Sequence, residues 1–135
     1  MEIQWHGPFS SSEVNRLHAE AFGTRVFSDD ESNWRAQVES HSLGWVTARA
    51  AGATGTLAGF VNVVGDGGVH AWLQDVIVAA AHRHEGVGRR LVEAAREGAR
   101  AAGCEWLHGD FTDELAPFYL DACGFAPARA GLMAL

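Results

Sequence analysis

The feature that most constrains the fold of this 135-residue chain is a change of hydrophobic period within residues 69–103. The first part, VHAWLQDVIV, is rich in β-branched and aromatic side chains and predicts a strand. After the glycine-containing segment HRHEGVG, the run RRLVEAAREG repeats its apolar residues with the period of a helix. A strand, a glycine-rich loop and an amphipathic helix in this order predict a right-handed crossover between parallel strands, with the helix starting near Gly86.

Two helices are predicted before that unit. Ser10 and Glu13 have the spacing of a capping box, and apolar residues recur at helical spacing up to Gly23, a typical helix stop. Ser28 and Glu31 have the same spacing and predict a second helix that ends near residue 41.

Strands account for most of the remaining chain. Residues 44–50, 56–64 and 69–78 predict an antiparallel meander, residues 105–111 a fourth strand, residues 113–123 a short helix with Pro117 in its first turn, and residues 125–135 one or two last strands. The expected fold is a single α+β (mixed α/β) domain over residues 1–135, with a parallel crossover after the third strand.

Composition excludes several classes of function. The net charge of −7 argues against nucleic-acid binding, and no apolar run is long enough to span a membrane. The first ten residues lack the pattern of a secretory signal, so we expect a cytoplasmic protein. All ten basic residues are arginine, which, with the many alanines and glycines, is typical of a GC-rich bacterial genome. Cys104 and Cys123 fit no metal-binding spacing, so we expect free thiols and no metal.

The glycine-rich loop predicts an anion site. The first turn of a helix has unpaired N–H groups and a positive dipole end, and phosphate binds there readily. Gly86 and Gly88 remove side chains where a phosphate would approach, and Arg83 and Arg89 can donate charge-assisted hydrogen bonds. A solvated charged patch is the alternative. The loop lacks the lysine of a Walker A motif, the third glycine of a dinucleotide fingerprint and the second histidine of a zincin site.

Two motifs carry a resemblance to a known family. The first is R-x-x-G-x-G after an apolar strand, within DVIVAAAHRHEGVG, and the second is FYLDACGF at residues 118–125. In this order the two motifs resemble the GNAT superfamily of N-acetyltransferases, most strongly over residues 73–125. The resemblance implies the GNAT fold, a central and mostly antiparallel sheet with a parallel splayed pair, flanked by four helices.

The resemblance also implies acetyl-CoA as the donor co-substrate. Its pantetheine arm is expected along the backbone of Val76, Ile77 and Val78. Its pyrophosphate is expected on the loop and helix start formed by Arg83, His84, Glu85, Gly86, Val87, Gly88 and Arg89. Many members of the family have an asparagine where this chain has Thr112, so a cofactor contact there is a departure from the pattern, and Thr112 has helix capping as its alternative role.

Tyr119 matches the family position of a general acid that protonates the departing thiolate, although a tyrosine in a short helix is usually a core residue. Asp75 is the only carboxylate inside its predicted strand and is the candidate general base, with capping or pairing to a loop as the alternative. His70 and Asp110 are weaker candidates for the base. Packing is the expected role of Trp45, Trp72 and Cys123.

The sequence therefore predicts an N-acetyltransferase that moves an acetyl group to a primary amine, on a small molecule or a peptide, through a ternary complex. The alternative is a GNAT-fold module that binds an acyl-CoA without turnover, as a sensor or an interaction partner. Another acyl donor, such as succinyl-CoA, is also open. The apolar C-terminus GLMAL favours a homodimer.

Overall fold

The computed structural model describes residues 1–51 and 55–135. Their strands are β1 (Glu2–Trp5), β2 (Ser42–Arg49), β3 (Leu57–Gly65), β4 (His70–Val78) and β5 (Trp106–Gly109), and their helices are α1 (Ser11–Phe22), α2 (Trp34–His41), α3 (Val87–Ala101) and the short α4 (Pro117–Ala122). The five strands form one sheet in the order β1-β2-β3-β4-β5. All neighbours are antiparallel except β4 and β5, which are joined through α3 and run parallel. This architecture confirms the α+β prediction with a parallel crossover.

Helix α1 begins where its capping box predicts. The Ser10 hydroxyl accepts a hydrogen bond from the Glu13 amide, and the Glu13 carboxylate accepts one from the Ser10 amide. Val14 and Leu17 are buried, so the helix is held by its apolar face as well as by its cap. Gly23, with a φ of 66°, ends the helix in the left-handed region.

The second capping box forms its hydrogen bonds but does not begin a helix. Ser28 and Glu31 exchange both bonds within a turn, and α2 begins only at Trp34. Asn33 is the cap, because its side chain accepts from the Ala36 amide at 3.0 Å. No residue between 29 and 33 is apolar, so a helix there would have no face to bury. The predicted start of this helix was therefore wrong by several residues.

Both ends of the chain differ from the prediction. Strand β1 pairs with β2, although its four residues are too short a run to give a clear alternation. Residues 126–135 form no strand and are exposed, so the predicted last strands are absent from the described chain.

An extra residue interrupts the register of β4 against β3. Between the pairs Phe60↔Ile77 and Asn62↔Gln74, the chain advances by three residues on β4 and by two on β3. The result is a β-bulge that contains Asp75, whose φ of 55° lies in the left-handed region.

The bulge changes which face of the sheet each residue of β4 meets. Before the bulge, Ala71 and Leu73 belong to the core under α3, and after it Val76 and Val78 pack against the same core. Ile77 belongs to the second core, which lies under α1 and α2. Without the extra residue, strict alternation would place Ile77 on the same face as Leu73.

Candidate active site

An opening lies between the second half of β4 and β5. Strand β5 pairs with residues 70–73 of β4 and ends at Gly109, opposite Leu73. Beyond this point β4 continues to Val78, paired only with β3 among the described strands. Because this part of β4 pairs with β3 on one side and with no described strand on the other, its second edge is exposed in the opening.

The backbone groups that point into the opening follow from the antiparallel pattern. The Ala79 amide donates to the Ala58 carbonyl at 2.8 Å, so residues 77 and 79 face β3. Val76 and Val78 therefore direct their N–H and C=O groups towards the opening. Ile77, predicted with them, bonds to β3 and has a buried side chain, so it positions the edge without being part of it.

The predicted pyrophosphate loop follows β4 directly. The Arg83 guanidinium donates to the Val78 carbonyl at 3.3 Å, which ties the loop to the end of the strand. His84 and Gly86 have φ angles of 63° and 78°, so the chain passes twice through the left-handed region before α3. At Gly86, a Cβ atom would meet no neighbour within 4 Å, so the surrounding space is open.

The start of α3 presents unpaired amides. The first backbone bond of the helix runs from the Arg90 amide to the Gly86 carbonyl, and no side chain caps this end. The amides of residues 87–89 therefore have no helical partner. Arg83, His84, Glu85, Gly86 and Arg89 are all exposed, whereas Val87 is buried beneath them. Arg89 also forms an ion pair with Glu93, one turn further along α3, at 3.1 Å.

The structure gives Gly88 a packing role, and the ligand contact that the sequence predicted for it stays a prediction. A Cβ atom at this position would lie 3.2 Å from Cζ of Phe118 and 3.6 Å from Cγ2 of Val78. The absence of a side chain thus lets the Phe118 ring pack onto the start of α3, which holds α4 beside the opening.

Tyr119 follows Phe118 in α4. Its ring is buried, stacks on Phe111 with centroids 4.7 Å apart, and lies near Gly109, the last residue of β5. The hydroxyl makes no hydrogen bond among the described residues, in which every fully buried side-chain oxygen has a partner. The hydroxyl therefore meets solvent. Burial of the ring, with a smaller effect of Cys123, raises the pKa of Tyr119 to about 12, so the phenol keeps its proton at neutral pH.

Helix α4 is wound more widely than an α-helix. The Cys123 amide donates to the Phe118 carbonyl, five residues back, at 2.9 Å. The sequence predicted the helix and the place of Pro117 in its first turn, but not this winding. Burial raises the pKa of the half-buried Cys123 thiol, which agrees with the packing role expected for it.

Asp75 occupies the bulge on the α1 side of the sheet. Its carboxylate is half-buried, and among residues 1–51 and 55–135 no hydrogen bond or ion pair reaches it. The predicted alternative, in which Asp75 caps or pairs with a loop, therefore has no contact to support it. Burial raises the pKa of Asp75 above its ordinary value, while the nearby His18 acts in the opposite sense. A carboxylate with a raised pKa is suited to accept a proton.

The remaining predicted residues are Thr112, Asp110 and Trp45. Thr112 is exposed and its side chain caps no helix, although its carbonyl accepts from the Leu115 amide at 3.0 Å. Asp110 is exposed after β5. Trp45 belongs to the second core and donates to the Gly7 carbonyl at 2.8 Å, which agrees with the packing role expected for it.

The structure brings together His70, a weaker candidate for the base, Trp72, for which packing was expected, and His108, to which the sequence assigned no role. His70 Nδ1 lies 2.7 Å from His108 Nε2, and the rings of Trp72 and His108 are stacked with centroids 4.6 Å apart. The register Trp72↔His108 brings them together. The sequence predicted both strands but not the register between them, and without the register these side chains could not be identified as neighbours.

Within residues 1–51 and 55–135, no group of three or more histidine, cysteine, aspartate or glutamate side chains is arranged to hold a metal ion. None of the helices described has the length and apolar character needed to cross a membrane.

Part of the chain is similar in sequence to two curated acetyltransferases. It is 35% identical over 99 residues to the streptothricin acetyltransferase of Streptomyces lavendulae, covering 69% of this chain and 50% of that protein. It is 40% identical over 73 residues to the probable glucosamine 6-phosphate N-acetyltransferase 2 of Oryza sativa subsp. japonica, covering 54% and 43%. The chain thus spans about half the length of these relatives.

Among solved structures, AAC(6')-Iy in complex with the bisubstrate analogue CoA-S-monomethyl-acetylneamine has the same fold. Its TM-score is 0.75 at 16% identity, over 99% of this chain and 96% of that one. A sequence profile of the acetyltransferase (GNAT) family matches residues 11–125. With the sheet, the splayed parallel pair and the four helices described above, this match confirms the resemblance read from the two motifs: the chain belongs to the GNAT family of acetyltransferases.

Proposed function

We propose that residues 1–135 form one acetyltransferase domain that moves an acetyl group from acetyl-CoA to a primary amine through a ternary complex. The observation that carries the proposal is the open edge of β4, which residues 79–86 connect to the uncapped start of α3. An extended edge suits the amides of a pantetheine arm, and a helix start suits a pyrophosphate.

In this proposal the donor binds in two parts. The backbone groups of Val76 and Val78 hydrogen-bond the pantetheine arm, as an added strand would. The amides of residues 87–89 bind the pyrophosphate, with Arg83 and Arg89 supplying positive charge. Glu85 and His84 belong to the rim of this site. Thr112 is exposed and its side chain caps no helix, so it has no assigned role.

Acetyl-CoA supplies an activated thioester, and the protein supplies proton transfer. Asp75 accepts a proton from the incoming ammonium, so that the neutral amine attacks the thioester carbon. The Val76 amide points into the opening and stabilises the oxyanion that forms. When the carbon–sulfur bond breaks, Tyr119 donates its proton to the thiolate, and the proton that the acetylated nitrogen loses restores the phenol. Asp75 then releases its proton to solvent, and the products are the N-acetyl amine and CoA. Acid and base act from opposite faces of the sheet, because Tyr119 lies in the α3 core and Asp75 faces α1.

The relatives support the amine as the class of acceptor. Their names specify streptothricin and glucosamine 6-phosphate as substrates, and both of them, like the neamine analogue in the solved complex, carry amines. Which amine this chain uses, and whether it forms a homodimer, stay predictions of the sequence.

Two measurements test the proposal together. Calorimetry measures CoA binding, and release of free thiol measures transfer from acetyl-CoA to a panel of small amines and peptides. We expect micromolar-range CoA binding and amine-dependent thiol release. Binding without transfer to any amine would overturn the enzyme proposal in favour of an acyl-CoA-binding module, and faster transfer from succinyl-CoA would overturn acetyl-CoA as the preferred donor.

A further inference from the structure

Three aromatic side chains form a layer on the face of β4 and β5 that points away from the α3 core. We call His70, Trp72 and His108 the ring cluster. Trp72 stacks on His108 at 4.6 Å and on His70 at 6.0 Å, and the two imidazoles touch through Nδ1 of His70 and Nε2 of His108, 2.7 Å apart. One of these facing nitrogens donates a hydrogen bond through its N–H and the other accepts it, so the contact fixes the orientation of both rings.

The ring cluster is not part of either hydrophobic core. Trp34 and Trp45 lie in the core under α1 and α2, and Trp5 packs against the core under α3, whereas Trp72 belongs to neither cluster. All three residues are partly buried, and none is fully buried. A tryptophan that does not fill a core leaves its ring face available to a ligand.

The position of the ring cluster connects it to the proposed reaction site. Trp72 and His108 form the pair just before Leu73↔Gly109, where β5 ends and the opening begins. Alternation along β4 turns Trp72 away from the α3 core, to the side on which Asp75 meets α1. Trp72 and Asp75 are three residues apart, roughly 10 Å along a strand, which is too far for proton transfer and about the width of two sugar rings.

The chemistry of the ring cluster favours one kind of ligand. The faces of Trp72 and His108 can stack on a flat C–H surface and attract an ammonium group. The outward nitrogens, Nε2 of His70 and Nδ1 of His108, have no hydrogen-bond partner in the described chain and can bond to hydroxyl groups. Asp66 accepts from the His70 amide at 3.3 Å, and hydrogen bonds keep its pKa low, so a negative charge lies beside the rings.

We infer that the ring cluster binds the non-reacting ring of the acceptor, and that the acceptor is an amino sugar. A purely aromatic amine would leave the imidazole nitrogens unpaired, and a linear amine would cover little of the ring faces. A polyhydroxylated ring with a second ammonium satisfies the stacking, the hydrogen bonds and the charge together. This inference rests on the proposed function, because it assigns a specificity to the same site.

The test compares ring and linear acceptors in matched variants. In Trp72→Ala, we expect KM for glucosamine and neamine to rise about tenfold, while KM for acetyl-CoA and kcat/KM for 1,4-diaminobutane stay within about twofold. The control is Trp106→Ala, since Trp106 is 65% exposed on β5, outside the stacked rings; it should change neither acceptor by more than about twofold. His108→Gln, which removes the stacked ring without emptying a core, should repeat the effect of Trp72→Ala.

The outcomes separate this inference from the proposed function. Equal effects of Trp72→Ala and Trp106→Ala on the ring acceptors would overturn it, as would an equal loss for 1,4-diaminobutane. If wild-type protein transfers acetyl groups only to linear amines, the proposed function survives and the amino-sugar inference fails. If it transfers to no amine, the proposed function fails; calorimetric binding of neamine that Trp72→Ala abolishes would then still support the ring cluster as a sugar site, and absence of binding would overturn it.

Discussion

The two halves of β4 belong to one strand but behave as different structures. Residues 70–73 are paired on both sides, with β3 and with β5, and carry their aromatic rings on the face that points away from the α3 core. Residues 76–78 are paired with β3 alone and turn the backbone groups of Val76 and Val78 into an opening. Asp75, in the bulge, separates the halves.

In the proposed function, the two halves of this one strand serve two ligands. The open half offers backbone groups, which suit any donor with an extended arm, and the paired half offers side chains, which can distinguish one acceptor from another. Substitutions in and around the open half should therefore affect donor use and chemistry, and substitutions in the paired half should affect the choice of amine.

The largest effect is expected at Tyr119, which flanks the open half. Tyr119→Phe removes the proton donor but keeps the ring and its stacking on Phe111, so kcat should fall by about 100-fold. Calorimetric affinity for CoA should stay within about twofold of wild type. Cys123→Ser, in the same helix, is the control and should leave kcat nearly unchanged. Equal losses of turnover and CoA affinity in Tyr119→Phe would show that the residue is structural.

Asp75→Asn tests the residue between the halves. We expect kcat/KM at neutral pH to fall by about tenfold, with Asp110→Asn as an exposed control that changes little. Since burial raises the pKa of Asp75, wild-type activity should decrease as the pH falls through that raised pKa, and the variant should lose this acid limb. An unchanged acid limb in Asp75→Asn would assign the base to another group.

The same substitution has a predicted effect on stability. A carboxylate whose pKa is raised on folding stabilises the fold below its unfolded pKa, and that contribution is lost as the pH rises through the folded pKa. At neutral pH the charged, half-buried Asp75 is therefore a cost, and asparagine tolerates the left-handed φ of 55°. Thermal unfolding should show Asp75→Asn to be more stable than wild type at pH 7 and not at pH 3; a lower melting temperature at pH 7 would contradict this.

Amide exchange tests the difference between the two edges of β4 directly. In the free protein, the amides of Val76 and Val78 should exchange quickly, and those of Ile77 and Ala79 slowly, because only the latter pair bonds to β3. Saturating CoA should slow Val76 and Val78 by about tenfold and leave the other two unchanged. Bound CoA without added protection at Val76 and Val78 would mean that the donor does not use this edge.

The smallest effect is expected from a pair of glycines at the two ends of α3. Gly86 and Gly103 have φ angles of 78° and 97°, and no atom lies within 4 Å of a Cβ built at either position. Alanine should cost about 1–2 kcal/mol of unfolding free energy at each. Only Gly86→Ala should raise KM for acetyl-CoA, by a few-fold, because only this end carries the proposed pyrophosphate site. A similar rise in Gly103→Ala would point to a general loosening of α3.

Local rules predicted the parts of the fold in which a local signal and burial agree. The capping box at Ser10 precedes Val14 and Leu17, which are buried, and the helix forms as expected. The box of the same spacing at Ser28 is followed directly by the polar residues Ser32 and Asn33, and the chain forms a turn before α2 begins at Trp34. The order of strands and helices from β2 to α4 followed from periodicity in the same way, whereas β1 is held by pairing with distant residues that its own sequence does not indicate.

The candidate site was predicted by residue type, and its geometry was not. Motifs marked Tyr119, Gly86 and the loop, but the bulge depends on how β3 and β4 pair, which no local pattern encodes. For the same reason the sequence could not distinguish Ile77 from Val76. The packing of Gly88 against Phe118 joins residues thirty positions apart in the chain and was interpreted from the sequence as space for a ligand.

The bulge also governs how this chain can be aligned with others. A relative that lacks one residue between Leu73 and Ile77 could have a very similar strand sequence. The side chains after the deletion would nevertheless face the opposite core. An alignment that places a gap at Asp75 would therefore compare side chains from different sides of the sheet. Insertions and deletions in this segment therefore exchange the contents of the two cores.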